Sequence, residues 1–216
     1  MISRRETLDE IMLKYRTDKS SPYHNYTPVY EYYFDSLRNK EIILLELGIG
    51  DIDSLNLEGE SILGWREYFI NGKCYAIDNN SERVARNTNC FWCDQTDSKE
   101  LNHIIEVIGR PDIIIDDASH HLDPTLTSFF ILFPLLQSKG LYCIEDTVAP
   151  SYWPGWEGNE NIWDSYFMNY FFNLCHYVNL KKQETFNPSR DIDIPDWIQE
   201  IDSIHFHHSQ IIIKKK

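Results

Sequence analysis

The 216-residue chain has no apolar run that approaches the roughly 20 residues needed to cross a bilayer, so no membrane-spanning helix is expected. Its opening, MISRRETLDE, puts polar and acidic residues where a secretory peptide needs an apolar core, and the expected location is the cytoplasm. Cysteine is scarce and odd in number, five in all, which excludes a disulfide framework and suits buried thiols. Positive charge is in deficit, with 20 Lys and Arg against 34 Asp and Glu and a formal net charge of −14. That balance disfavours nucleic acid, whose binding needs a basic footprint to displace counterions, and favours a small neutral or cationic ligand. The basic cluster Lys214 to Lys216 reads as a solvated end.

A hydrophobic share of 42% and an aromatic share of 14% exclude disorder and suffice for one large domain. Apolar runs alternate with helical patterns, without repeats or low-complexity tracts, which predicts an α/β fold. Strands are predicted at 41–50, 73–78, 89–93, 112–116 and 140–145, and helices at about 6–15, 28–38, 61–70, 80–87, 98–109 and 125–137. The stretch 203–215 breaks near His208 and Ser209 and predicts a terminal antiparallel hairpin. SYWPGWEGNENIW (151–163) has the composition of a loop and is expected to wall or cover the substrate side. The whole predicts a Rossmann-like, doubly wound, mostly parallel seven-stranded sheet in a single domain. Residues 1–40 form a helical lid or substrate segment, and 41–216 form the core.

Two acidic pairs close two of these runs, Asp116 and Asp117 in IIIDDASHH (113–121), and Glu145 and Asp146 in GLYCIEDT (140–147). In an open α/β sheet, ligands bind outside the carboxyl ends of the strands. Neighbouring strands lie about 4.8 Å apart, so if these two are adjacent their carboxylates reach one cation. Carboxylates gathered there repel one another unless a cation sits among them. His120 adds a proton acceptor beside that point.

LLELGIG (44–50) is a strand ending in a glycine turn, where Gly48 and Gly50 let the backbone come close to a nucleoside. A nicotinamide fingerprint would want a third glycine at position 53, but that residue is Asp53, so the pyrophosphate site is spoiled. Glu46 suits instead a ligand with an amino group, such as S-adenosylmethionine. Asp78, ending YAIDNN, is placed for ribose hydroxyls, and Asp94 with Gln95 in FWCDQTD for the adenine edge. Strand-terminal aspartates also cap the helices that follow them, which is the plain alternative for each.

Taken together, YRTDK (15–19) with His24 and Tyr26, LLELGIG, GESILGWREYF (59–69), YAID, CDQTD, IIDDASHH, GLYCIEDT and SYW (151–153) resemble one family over nearly the whole chain. It is the metal-dependent sugar O-methyltransferases of the class I S-adenosylmethionine fold, of the mycinamicin macrolide-sugar type. The resemblance implies that Asp117, Glu145 and Asp146 hold Mg²⁺, with Mn²⁺ a substitute, and that His120 is the catalytic base. It puts Glu46, Gly48, Asp78, Asp94, Gln95 and Asp116 in cofactor-contact segments, and counts Thr17, Lys19 and Tyr26 with them as cofactor residues, in a segment that closes over the site. Arg16 stands where such chains carry glycine before Thr-Asp-Lys. The implied substrate is a sugar with vicinal hydroxyls, on a nucleotide, a polysaccharide or a natural product, and a homo-oligomer is left open. Two other readings stay open from the residues: a nicotinamide-dependent sugar oxidoreductase and a non-catalytic cofactor-binding partner.

Overall fold

A computed structural model describes residues 4–21, 23–50, 60–149, 166–180 and 196–216. The expected wall at 151–163 and Asp53 lie outside the described residues. Seven strands, β1 (Ile43–Leu47), β2 (Lys73–Asp78), β3 (Cys90–Trp92), β4 (Ile113–Asp116), β5 (Leu141–Ile144), β6 (Ile201–His207) and β7 (Gln210–Lys215), form one sheet in the order β3-β2-β1-β4-β5-β7-β6. The first five are parallel, β7 runs antiparallel to β5, and β6 and β7 form the expected hairpin. Strand order reverses between β1 and β4, and at such a switch point the loops diverge and leave a crevice.

Eight α-helices are described: α1 (Leu8–Lys14), α2 (Thr27–Phe34), α3 (Glu60–Tyr68), α4 (Ser81–Arg86), α5 (Ser98–Ile108), α6 (Leu122–Leu132), α7 (Tyr166–Leu180) and α8 (Asp196–Gln199). The two-residue alternation of the strands divides the core into layers. Leu44, Ala76, Ile113, Ile115 and Cys143 face α1, α2 and α3, while Leu45, Leu47, Ile77, Ile114, Tyr142 and Ile144 face α5, α6 and α7. In α5, Leu101, Ile104, Ile105 and Ile108 recur at helical spacing and are all buried. Burying each of them fully stabilises the fold by roughly 1.5–3 kcal/mol relative to exposure.

Local chemistry sets the helix starts. Thr7 and Glu10 make a capping box on α1, Asn80 caps α4, and Asp97 caps α5 by accepting from the amides of Lys99 and Glu100. Asp78 is therefore not the side-chain cap of α4. Helices α7 and α8 were not expected from the sequence. The spacing of Phe167, Phe171 and Leu174 carries the buried stripe of α7, but the aromatic content of YFMNYFFNLCHYVNL weakens the helical signal. The five cysteines are free thiols, with Cys74, Cys93 and Cys143 buried. No described helix is long and apolar enough to cross a membrane.

Candidate active site

At the carboxyl edge of β1, β2, β4 and β5 opens a cavity of about 1180 Å³. Its described walls include the N-terminal loop with Thr17, Lys19, His24 and Tyr26, the β1 turn from Gly48 to Gly50, and Asp78 at the end of β2. Asp94 and Gln95 after β3, Asp117 and His120 after β4, Asp146 after β5 and the hairpin tip at Ser209 complete them. Most of the residues singled out in the sequence thus meet in one place. Glu46, Asp116 and Glu145 lie beneath the lining and do not form part of it.

On one side the β1 turn brings backbone to the surface of the cavity. Gly48 has φ +83, and a methyl group on it would stand 2.3 Å from the carbonyl oxygen of Asp117, so glycine alone fits. Asp78 accepts hydrogen bonds from the amides of Ile49 (3.1 Å) and Asn80 (2.7 Å), and the Arg83 guanidinium stands 3.5 Å away. Those bonds aim its carboxylate between the two turns. Asp94 accepts from the hydroxyl and amide of Thr96 at 2.7 and 2.8 Å, which together hold its carboxyl below the usual range. The Gln95 amide is used by the fold: its oxygen accepts from the Ser119 amide at 3.0 Å and its nitrogen donates to Asp116 at 3.2 Å.

Asp116, expected in a cofactor-contact segment, does not line the cavity. Strand alternation turns it toward α6, where Ser128 (2.6 Å) and Tyr142 (2.9 Å) donate to its other oxygen and burial pushes its pKa up to about 6. Because the folded value lies above the unfolded one near 3.9, the folded state binds the extra proton, and this contribution to stability fades as pH rises from about 4 to 6. The stability of the wild type relative to Asp116→Asn should therefore fall by ~3 kcal/mol over that window in thermal melts. A constant difference across pH would show that Asp116 does not titrate there.

On the other side lies a buried acidic centre. Glu46 from β1 and Glu145 from the end of β5 share the sheet face covered by α1, α2 and α3. Lys19 reaches them from the N-terminal loop, its ammonium in contact with Asp117, 2.9 Å from Glu145 and 3.5 Å from Glu46. Lys19, counted among the cofactor residues from the resemblance, lines the cavity, and its ammonium meets these carboxylates. Burial alone would lower its pKa, but attraction by Asp117, Glu145 and Glu46 outweighs this and holds it well above the ordinary range. Glu145 moves the opposite way to a simple ion pair, pushed well up by burial and by the Asp117 charge despite Lys19. Burial also raises Glu46. The two directions are consistent, because one ammonium cannot neutralise three carboxylates.

Neutral donors share the load. Ser61 (2.8 Å) and the Trp65 indole (3.3 Å) donate to Glu46, and Tyr30 donates to Glu145. Tyr26, four residues before Tyr30 and so on the same face of α2, donates to Asp146. Tyr30, Ser61 and Trp65 were not singled out in the sequence. The four-residue spacing of the tyrosines was a legible signal for Tyr30, whereas Ser61 and Trp65 read as ordinary helix residues. Asp146 is turned into the cavity, its oxygens 3.8 Å from His120 Nε2 and 3.7 Å from His24 Nδ1. One ligand atom each from Asp117, His120 and Asp146 lie within 4.8 Å of one another, a set able to hold a metal ion. His120 (φ 57) and Asp146 (φ 53) sit in the left-handed region, as does Arg16 (φ 59), where glycine would be free of strain.

No family model matches the chain. It is similar to the 8-demethyl-8-alpha-L-rhamnosyl tetracenomycin-C 2'-O-methyltransferase of Streptomyces olivaceus, with 29% identity over 95% of this chain and 54% of that protein. It is also similar to the mycinamicin VI 2''-O-methyltransferase of Micromonospora griseorubida, 35% identical over 72% of this chain and 39% of that protein. The crystal structure of the MycE methyltransferase from the mycinamycin pathway, in complex with Mg and SAH, superposes with a TM-score of 0.86 and 28% identity over 99% of this chain and 55% of that one. The chain spans about half the length, or less, of the relatives it matches.

Proposed function

From its similarity to the macrolide- and tetracenomycin-sugar O-methyltransferases, we propose that this chain transfers the methyl group of S-adenosylmethionine to a sugar hydroxyl by metal-assisted general-base catalysis. The observation that carries this reading is the convergence of Asp117, Asp146 and His120 in a cavity that is also lined by the Gly48 turn and the Asp78 carboxylate. We take residues 1–216 as one methyltransferase unit, with 1–40 on the substrate side of a core formed by 41–216.

The donor set fits the implied cation. Carboxylates are hard oxygen ligands suited to Mg²⁺, with Mn²⁺ an acceptable substitute, and the centre holds more negative charge than Lys19 offsets. We assign Asp117, Glu145 and Asp146 to that cation. Glu145 lies deepest, held by Lys19 and Tyr30, and Asp146 faces the cavity. When bound, the cation supplies Lewis acidity that makes a nearby sugar hydroxyl more acidic.

His120 accepts the proton of that hydroxyl on a ring nitrogen; it is assigned as base because Mg²⁺ prefers oxygen to imidazole. As the proton leaves, the hydroxyl oxygen forms its bond to the methyl carbon while the carbon–sulfur bond breaks, the electron pair staying on sulfur. Neutral thioether and His120 imidazolium result, and the proton passes to water. Gly48 and Gly50 admit the nucleoside, Asp78 accepts from the ribose hydroxyls, and Asp94 meets the adenine edge. Glu46, held away from the cavity, contributes negative charge near the donor's ammonium. The acceptor class is a sugar carrying neighbouring hydroxyls, on a natural product or a nucleotide.

The test combines calorimetry with S-adenosylmethionine and transfer of its labelled methyl group to a panel of rhamnosylated natural products and nucleotide sugars in the presence of Mg²⁺. Binding of the donor with methylation of at least one acceptor is expected. A chain that does not bind the donor sinks the proposal.

A further inference from the structure

Lys19 is a buried charged group to which the methyl-transfer scheme gives no task. Its side chain is 1% exposed, and its ammonium meets Asp117, Glu145 and Glu46, the first two of which are among the residues assigned to the divalent cation. The backbone that carries it is fixed. Tyr26 and Thr27 amides donate to the Lys19 carbonyl at 2.8 and 3.2 Å, and the Lys19 amide donates to Thr17 Oγ1 at 3.1 Å. Asp9 of α1 accepts from the Ser21 amide at 2.8 Å and from Thr27 Oγ1 at 2.6 Å, tying the middle of the loop and the start of α2 to one helix. The ammonium is therefore held at the acidic centre by the fold, and a cation that binds Asp117 and Glu145 meets oxygens already facing a positive charge.

We propose that Lys19 is a positioning residue, a built-in counter-ion that shares the Asp117 and Glu145 carboxylates with the divalent cation and holds them in place when none is bound. The proposal rests on the reading of this centre as a metal site. Its consequence is opposite to that of a ligand: removing the charge leaves the carboxylates to the metal alone and strengthens metal binding.

Mn²⁺ titrations followed by the resonance signal of the free ion, on wild type, Lys19→Met and Lys19→Arg, test this, with thermal melts of each with and without Mn²⁺. Lys19→Met is expected to bind Mn²⁺ about 10- to 100-fold more tightly than wild type, the effect of deleting one nearby like charge. Its melting midpoint should rise more on adding Mn²⁺. Lys19→Arg, which keeps the charge, is expected to stay near wild type. A folded Lys19→Met with unchanged or weaker Mn²⁺ affinity overturns the proposal, as does equal tightening in Lys19→Arg. Should Lys19→Met fold only when Mn²⁺ is present, with K⁺ at equal ionic strength ineffective, the sharing is supported; failure to fold in both salts overturns it. A wild type that binds no Mn²⁺ overturns the metal reading of the centre, and the proposal with it, whatever the variants do.

Discussion

His120→Ala is expected to lower the turnover of methyl transfer by ~10²–10⁴-fold, the usual contribution of a positioned general base. Donor affinity should change little, because the contacts assigned to the donor are the Gly48 turn, Asp78 and Asp94, not His120. The measurement is kcat from single-turnover transfer alongside calorimetry with S-adenosylmethionine. An equal loss of donor affinity and turnover would make His120 a structural residue. Its left-handed backbone gives that outcome a physical basis, so a melt of the variant belongs in the comparison. His24, 3.7 Å from the other oxygen of Asp146, is the rival acceptor. Turnover kept in His120→Ala and lost in His24→Ala would move the base to the N-terminal loop.

Loss of the cation should have an effect of similar size. Polarisation by a metal contributes several kcal/mol to the transition state, so a chelator is expected to lower turnover by ~10²–10³-fold, with recovery on adding Mg²⁺. Asp117→Asn should show the same loss without recovery at moderate Mg²⁺, since one charged oxygen ligand is replaced by a neutral amide. The variant also removes a partner of Lys19, which makes its metal dependence more telling than its basal rate. Full turnover in the chelated wild type would reject metal assistance and leave His120 as the sole activating group. Wild-type metal dependence retained at unchanged Mg²⁺ affinity in Asp117→Asn would remove Asp117 from the ligand set.

The linear chain carried much of this. Apolar runs closed by acidic pairs predicted β4 and β5, their parallel pairing puts Asp116 opposite Ile144, and the acidic pairs follow at the same edge. The glycine turn after β1 and the carboxylate ending β2 were legible because each is a local requirement, one for close backbone approach and one for a polar strand end. The hairpin, expected over 203–215 and found over 201–215, was legible from the break near His208 and Ser209. Helix α7 was not placed, although its buried spacing is present, because tyrosine and phenylalanine fit either element.

Strand composition, the order of acidic residues and the sign of the net charge follow from the sequence by itself, since each depends on neighbours in the chain. Tertiary structure alone decided which of those acids meet. Asp116 and Asp117 are adjacent, yet strand alternation buries the first against Ser128 and Tyr142 while the second joins Lys19, 98 residues away. Side-chain direction is fixed by the register of paired strands, and a buried ammonium finds its partners through the packing of a loop on a distant sheet edge. Neither is encoded by any short window of residues.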